Sequence, residues 1–384
     1  MRLKHGLHLA YCTNIHRGES WPETFQALEQ YTLRVRDRVC PGKPYAIGLR
    51  LSDQASRELS EGGALLEFQR WLERENCYVF TINGFPFGRF HGARVKEQVY
   101  RPDWTSPERV AYTNRLFDLL AKLLPSDVNG SVSTAPGSFK AFVKGESDLA
   151  AIRANVFKCV EYAAKIFEQT GRRVELALEP EPLCLLETTD ECVGFFEAIR
   201  AEHRGDARID EFLGVNYDAC HLAVEFEDAA TGLKKLEANG IRIGKIHVSS
   251  ALKLKPTAKA LGALKEFEEN TYLHQVVVRR EDGGLVRHID LGDALKWAQT
   301  ESPGEEWRVH FHVPLHCPAG EWFETTADHA RGVLEFLKEK PGICLHLEME
   351  TYTWEVMPAA LKSRDVIDQL ASEYEWCVGE LGAI

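Results

Sequence analysis

The chain has 384 residues, 44% apolar and 27% charged, which is the composition of a globular protein long enough for one large α/β barrel with insertions or for two ordinary domains. Its formal charge of −12, from 46 basic and 58 acidic residues, opposes the field that a phosphate backbone requires, so nucleic acid is not the favoured partner. No run approaches the roughly 18 apolar residues of a membrane span, and the basic N-terminal stretch has no apolar core of signal length, so neither insertion nor export is expected.

Strand-like and helix-like stretches alternate from one end to the other, which predicts a parallel sheet with helices outside it. Candidate strands cover about 6–12, 45–51, 77–83, 130–134, 173–179, 212–218, 241–248, 307–313 and 342–350. Candidate helices cover about 22–38, 64–75, 107–124, 147–169, 190–203, 226–239, 325–339 and 359–377. Ser20-Trp-Pro22, Ser106-Pro107 and Thr188-Thr-Asp190 are ordinary helix-start signals. Nine strands are one too many for an eight-stranded (β/α)₈ TIM barrel, so either 130–134 or 307–313 lies outside the ring.

Two stretches exceed the minimal barrel, and both read as insertions into one domain over residues 1–384. The first, about 84–106, follows a strand and is rich in aromatic residues, which suits a lid or pocket wall on the rim. The second, about 250–306, holds alternating residues on either side of Asp282-Gly-Gly284, a β-hairpin signal. The ten cysteines are scattered without a C-x-x-C pair and read as reduced thiols, which predicts a cytoplasmic location.

Candidate chemistry collects at strand ends. Glu179, Asp218, His247 and Glu348 each close a short β-prone run, and parallel strands would bring those ends to one rim. A single strand-end acid more often caps the next helix or pairs with arginine; four in successive units point to a shared cation. Glu350 shares the face of Glu348 and is its nearest substitute. His221, three residues after Asp218, lies in the turn that follows the strand, as a further ligand or a substrate contact. His310 and His312 form an H-x-H pair whose ligand role would imply a second metal, and His316 follows in a loop. Asn14, His16, Arg50, Asn83, Ser133 and Thr134 end the early strands and are kept as candidates for that position alone. The sequence holds no P-loop, no strand-coupled G-x-G-x-x-G, no H-E-x-x-H and no G-x-S-x-G, which withdraws support from ATP, nicotinamide and serine-hydrolase chemistry.

Glu179-Pro-Glu-Pro182, Asp218-x-x-His221, His247 and Glu348, in that order, resemble the xylose-isomerase-like barrel superfamily. Over almost the full length, Leu9-Ala-Tyr-Cys-Thr-Asn14, Asn83-Gly-Phe-Pro-Phe-Gly88, Tyr100-Arg-Pro-Asp-Trp104, Ser133-Thr-Ala-Pro-Gly-Ser-Phe-Lys140 and Glu350-Thr-Tyr-Thr-Trp354 resemble the EboE metabolite-traffic proteins. The resemblance implies a metal-dependent isomerase or epimerase of a small polyhydroxylated carbonyl compound, working by proton transfer through an enediolate. Glu179, Asp218, His247 and Glu348 would hold one Mn²⁺, Mg²⁺ or Zn²⁺, and Glu179 and Glu348 would remove and return the proton. Glu181 stands where xylose isomerase has the lysine of its Glu-Pro-Lys-Pro motif, which makes a hydride shift doubtful. Two other functions stay open: a phosphodiesterase like the endonuclease IV enzymes that adds His221, His310 and His312, and a carrier without turnover.

Overall fold

The computed structural model describes residues 1–92, 94–359, 361–362 and 364–382. Seven strands follow one another with helices between them: β1 (His8–Tyr11), β2 (Tyr45–Arg50), β3 (Cys77–Asn83), β4 (Gly130–Thr134), β5 (Val174–Leu178), β6 (Leu213–Asp218) and β7 (Arg242–Val248). The chain then builds a second, antiparallel sheet from β8 (Leu252–Leu254), β9 (Val276–Arg279), β10 (Leu285–His288), β11 (Glu306–Val309) and β12 (Glu324–Thr325). It returns through helix Ala327–Glu339 to β13 (His346–Met349).

The first seven strands and β13 form one parallel sheet in the order β1-β13-β7-β6-β5-β4-β3-β2. A parallel bridge from Cys12 to Gly48 brings β1 to β2, so the sheet nearly closes into a barrel of eight strands with helices outside. Arg242 is the one exposed residue in these eight strands, as expected of strands covered by helices on one face and barrel interior on the other. Ser20, Ser106 and Thr188 each accept a backbone N–H of the following turn, so the three sequence signals start the helices they precede.

Of the two strands offered for exclusion from the ring, 130–134 is barrel strand β4, and the later one is β11 in the second sheet. Residues 310–313 leave that strand and turn toward the barrel. Around Asp282-Gly-Gly284 the predicted hairpin joins β9 to β10. The second sheet reaches Thr325, beyond the expected end at 306, and packs Leu252, Val276, Val278, Trp307 and Phe311 into an apolar cluster of its own. Because it lies between β7 and the helix before β13, it stands over the C-terminal ends of the barrel strands. The loop after β3 meets it there: Val95 and Lys96 donate their backbone N–H groups to Thr271 at 3.0 and 3.1 Å, and Lys96 Nζ lies 2.7 Å from Asp290.

Two element boundaries differ from expectation. The helix predicted over 359–377 spans Val366–Leu381, because Asp365 accepts the N–H groups of Ile367 and Asp368 and starts it there; residues 360 and 363 of the predicted span lie outside the described residues. The helix predicted over 22–38 is one continuous run with a π turn at Leu28–Thr32. Residue 93 of the first predicted insertion and residues 383–384 of the domain also lie outside the described residues.

Candidate metal centre and active site

Side chains inside the barrel stack in layers set by the strand period of two. Near the N-terminal end, Ser131 on β4 meets the His346 Nδ1 at 2.8 Å. One step up, Lys245 on β7 donates to the Ser133 Oγ at 2.9 Å and lies 2.5 Å from the Glu348 carboxylate, with both side chains wholly buried. A further step brings His247, Glu179, Asp218 and Glu350 to the rim, and one ligand atom from each of these four falls within 4.8 Å of the others.

His247 is the hub. Its Nδ1 lies 2.8 Å from Glu179, 3.3 Å from Asp218 and 3.3 Å from Glu350, while its Nε2 lies 2.9 Å from Glu348 on the opposite ring edge. Burial works against a charged imidazole, yet Glu179 and Glu350 outweigh it and hold the His247 pKa well above its usual value. Burial likewise pushes the Asp218 carboxyl up, and His221 and His247 reverse this to well below the usual range. For Glu348 the opposing charge is Lys245, which brings the carboxyl down to about 2 against burial.

Hydrogen bonds fix these groups. Asp218 Oδ1 accepts from the His221 backbone N–H at 3.0 Å and from Ser249 Oγ at 2.7 Å, so it caps the helix Ala219–Val224 with one oxygen. Its other oxygen, Oδ2, is buried among the cluster without a hydrogen-bond partner. Asn14 and Asn83 both donate to Glu350 Oε1, at 2.7 and 3.2 Å, which leaves Oε2 directed at His247. An unpartnered carboxylate oxygen in a nest of buried acids is costly unless a cation joins it, so the donor set fits a divalent ion.

A second group of imidazoles adjoins the first. His221 donates Nδ1–H to the Pro180 carbonyl at 2.8 Å, with its Nε2 3.8 Å from Asp218 Oδ2. His310 and His312 face each other through their Nε2 atoms at 3.2 Å, and burial lowers both pKa values. Among the described residues three ligand-sized groups result: Asp218 with His221 and His312, Glu181 with His221 and His310, and Cys220 with His310 and His312.

The other sequence candidates fall outside this centre. His16 is spent on the Tyr11 hydroxyl at 3.0 Å and stacks on Tyr31, and burial brings its pKa down to about 3. Arg50 pairs with Glu19 and donates to the carbonyls of Gly18, Pro86 and Gly88, which pins the rim loops. Ser133 holds Lys245, the Thr134 hydroxyl is buried without a hydrogen-bond partner, and half-buried His316 is not part of either cluster.

Above the four-residue cluster lies a cavity of about 40 Å³. Glu179, Glu181, His221, His310, Glu350 and Asn14 form its polar floor; Phe85, Phe90, Tyr100, Tyr272 and Tyr352 form most of its roof. Among the described residues that line it there is no lysine or arginine. Phe90, Tyr272 and Tyr352 pack with ring centroids 5.0 to 5.3 Å apart, sealing loop after β3, second sheet and barrel together. Glu181 accepts from the Tyr100 hydroxyl at 2.5 Å, and burial pushes its pKa up to about 7. Gln275 donates to the Tyr100 Oη at 3.0 Å and to the Pro182 carbonyl at 3.1 Å.

No protein-family model and no curated protein sequence matches the chain. Solved structures do. One titled a xylose isomerase-like TIM barrel protein from Mycobacterium smegmatis in complex with magnesium superposes with a TM-score of 0.54, at 13% identity, covering 100% of this chain and 99% of that one. The chain folds as a xylose isomerase-like TIM barrel. An L-ribulose 3-epimerase has a TM-score of 0.52 at 12% identity, covering 98% and 95% of the two chains. A xylose isomerase domain protein from Planctomyces limnophilus has 0.51 at 15%, covering 98% and 97%.

In this xylose isomerase-like barrel, four residues at the site escaped sequence reasoning. Lys245 had a signal, since it lies two residues before His247 on a strand and shares its face. Glu181 stands out in the sequence only as a departure from the Glu-Pro-Lys-Pro motif. Tyr100 had one as part of the aromatic stretch 84–106 expected as a pocket wall, but its pairing with Gln275, 175 residues away, arises only in the folded chain.

Proposed function

We propose that the chain is a metal-dependent isomerase or epimerase of a small polyhydroxylated carbonyl compound, with Glu179, Asp218, His247 and Glu350 holding one divalent cation. The observation that carries this is the convergence of those four side chains under a closed cavity at the C-terminal rim. The magnesium in the Mycobacterium smegmatis structure and the epimerase activity of a second neighbour of the same fold support it. When bound, the cation supplies electrophilic stabilisation to the charge that develops on adjacent substrate oxygens.

Of the acids around His247, Glu179 and Glu350 reach the cavity, whereas Glu348 lies beneath His247 on Lys245. We therefore assign proton transfer to Glu179 and Glu350 in place of Glu348. One carboxylate takes the proton from the carbon beside the carbonyl, leaving an enediolate, and the other returns a proton to the opposite face of that carbon for epimerisation; for isomerisation the proton goes to the neighbouring carbon and the hydroxyl proton passes from one enediolate oxygen to the other. The aromatic roof excludes water during this exchange, and Glu181 with Tyr100 supplies a hydroxyl contact at the far end. The second sheet contributes Tyr272, Leu273 and His310 to the cavity, which supports treating the chain as one catalytic unit. All ten cysteines are unpaired, which supports a reducing, cytoplasmic setting. No helix among the described residues is long and apolar enough to cross a membrane.

The experiment is solvent exchange: the metal-loaded protein is incubated in D₂O with unphosphorylated ketoses and aldoses, and deuterium at the carbon beside the carbonyl is read by NMR. Exchange on at least one sugar, lost by 10³-fold or more in Glu179→Gln, is expected. Full exchange in that variant contradicts the assignment.

His221, His310 and His312 beside Asp218 favour a second reading, a multi-metal phosphodiesterase. The absence of lysine and arginine from the described cavity lining and the −12 charge count against it, and cleavage of an abasic-site duplex would reverse that judgement. The resemblance to EboE proteins supports placing either activity, or binding without turnover, in the traffic of a metabolite.

A further inference from the structure

Glu348 lies close to the metal cluster without belonging to it, and its surroundings say why. Its Oε2 is 2.5 Å from the Lys245 ammonium and 2.9 Å from the His247 Nε2, on the ring edge opposite Glu179, Asp218 and Glu350. Lys245 is held in turn by Ser133 at 2.9 Å, and both members of the ion pair have no exposed side-chain surface. The backbone is shaped to admit this carboxylate: a Cβ at position 48 would fall 2.0 Å from Glu348 Oε1 and 2.6 Å from the Tyr11 carbonyl, and position 48 is glycine. A buried ion pair recovers its desolvation cost only with good geometry and further hydrogen bonds; here Oε2 meets both Lys245 and His247, while Oε1 lies buried against Gly48 without a hydrogen-bond partner.

An imidazole offers a cation one nitrogen only, and the proton on the other is fixed by whatever accepts it. Three acids of the cluster face Nδ1, and among the described residues the only carboxylate at Nε2 is the one that Lys245 anchors. We propose that Ser133, Lys245 and Glu348 form a positioning chain that accepts the Nε2–H of His247 and presents Nδ1 to the metal. Outer carboxylates of this kind orient a ligating histidine and typically contribute 10- to 100-fold in metal affinity. Glu348 is then a positioning residue, neither a ligand nor a proton-transfer group. The inference rests on the metal-centre reading above.

The test uses the full chain, ¹⁵N-labelled and titrated with Zn²⁺ alone. Long-range ¹H–¹⁵N spectra report which His247 nitrogen bears the proton, and chelator competition gives the affinity. Wild type is expected to bind Zn²⁺ through Nδ1 with Nε2 protonated. Glu348→Gln should weaken binding 10- to 100-fold while keeping Zn²⁺ at the site. Lys245→Met should show a second population bound through Nε2. Binding through Nε2 in wild type, a Glu348→Gln protein that loses Zn²⁺ as fully as Asp218→Asn, or a Lys245→Met spectrum identical to wild type would each overturn the chain. If wild type takes no Zn²⁺, the metal-centre reading itself fails, a result distinct from these three. Circular dichroism on each variant separates misfolding from altered ligation, and Asn216→Ala, which removes another contact to His247, should leave the Nδ1 form intact.

Discussion

Asp218 carries two duties on two oxygens: Oδ1 caps a helix, and Oδ2 points unpartnered into the cluster. Asparagine keeps the cap but brings no charge, so Asp218→Asn should fold normally and lose about 100-fold or more in affinity for Mn²⁺, measured by isothermal titration. Retained affinity would remove this residue from the ligand set. Glu373 tests the electrostatics away from the centre. It is wholly buried, accepts from Thr351 at 2.6 Å and from the Leu315 N–H at 3.2 Å, and burial pushes its pKa up to about 7. A carboxyl raised on folding holds its proton longer in the folded state, so it adds nothing below its unfolded pKa of 4.5 and costs stability as pH rises through 7. Glu373→Gln should match wild type at pH 4 and exceed it by up to about 3 kcal/mol at pH 8 in urea unfolding. A pH-independent difference would show that Glu373 stays ionised.

Among the elements, the rim loop after β3 and the second sheet decide access. A cavity of about 40 Å³ has room for roughly three waters and for no polyol, so the roof must open before a substrate enters. Lys96 ties that roof down, with Nζ 2.7 Å from Asp290 and 2.9 Å from the Glu269 carbonyl, almost fully buried. Lys96→Met should speed amide exchange in residues 84–100 about tenfold without changing exchange in β3 or β4. Uniform acceleration through the barrel would mean that the loop opens only by global unfolding. The strand ends at Asn83, Thr134 and Asp218 were legible because parallel strands buried on both faces show as short continuous β-prone runs. Short helices such as Asp53–Ser60, Ala258–Leu264 and Leu291–Trp297 were not, since two turns are too few to establish a 3.6-residue period. The second sheet was half legible: its hairpin announced itself through Asp282-Gly-Gly284, whereas β8 and β12 are three and two residues long and are defined by their pairing, β8 with β11 and β12 with β8.

Across the whole molecule, the barrel supplies the floor of the cavity and the inserted sheet part of its cover, joined through Tyr272, Leu273 and His310. The sequence placed Glu179, Asp218 and His247 at the ends of successive strands, and the closed ring turns that order into proximity. What it could not distinguish was Glu348 from Glu350, because they lie two residues apart along one extended run, Glu348 in β13 and Glu350 just beyond it, and the packing of Lys245 against the first separates them. The most direct test is the anomalous difference map of a crystal soaked in Mn²⁺. One peak within about 2.3 Å of Glu179, Asp218, His247 Nδ1 and Glu350, with Glu348 still on Lys245, is the predicted result. A peak bound by Glu348 instead of Glu350, or no peak at these residues, would contradict the account.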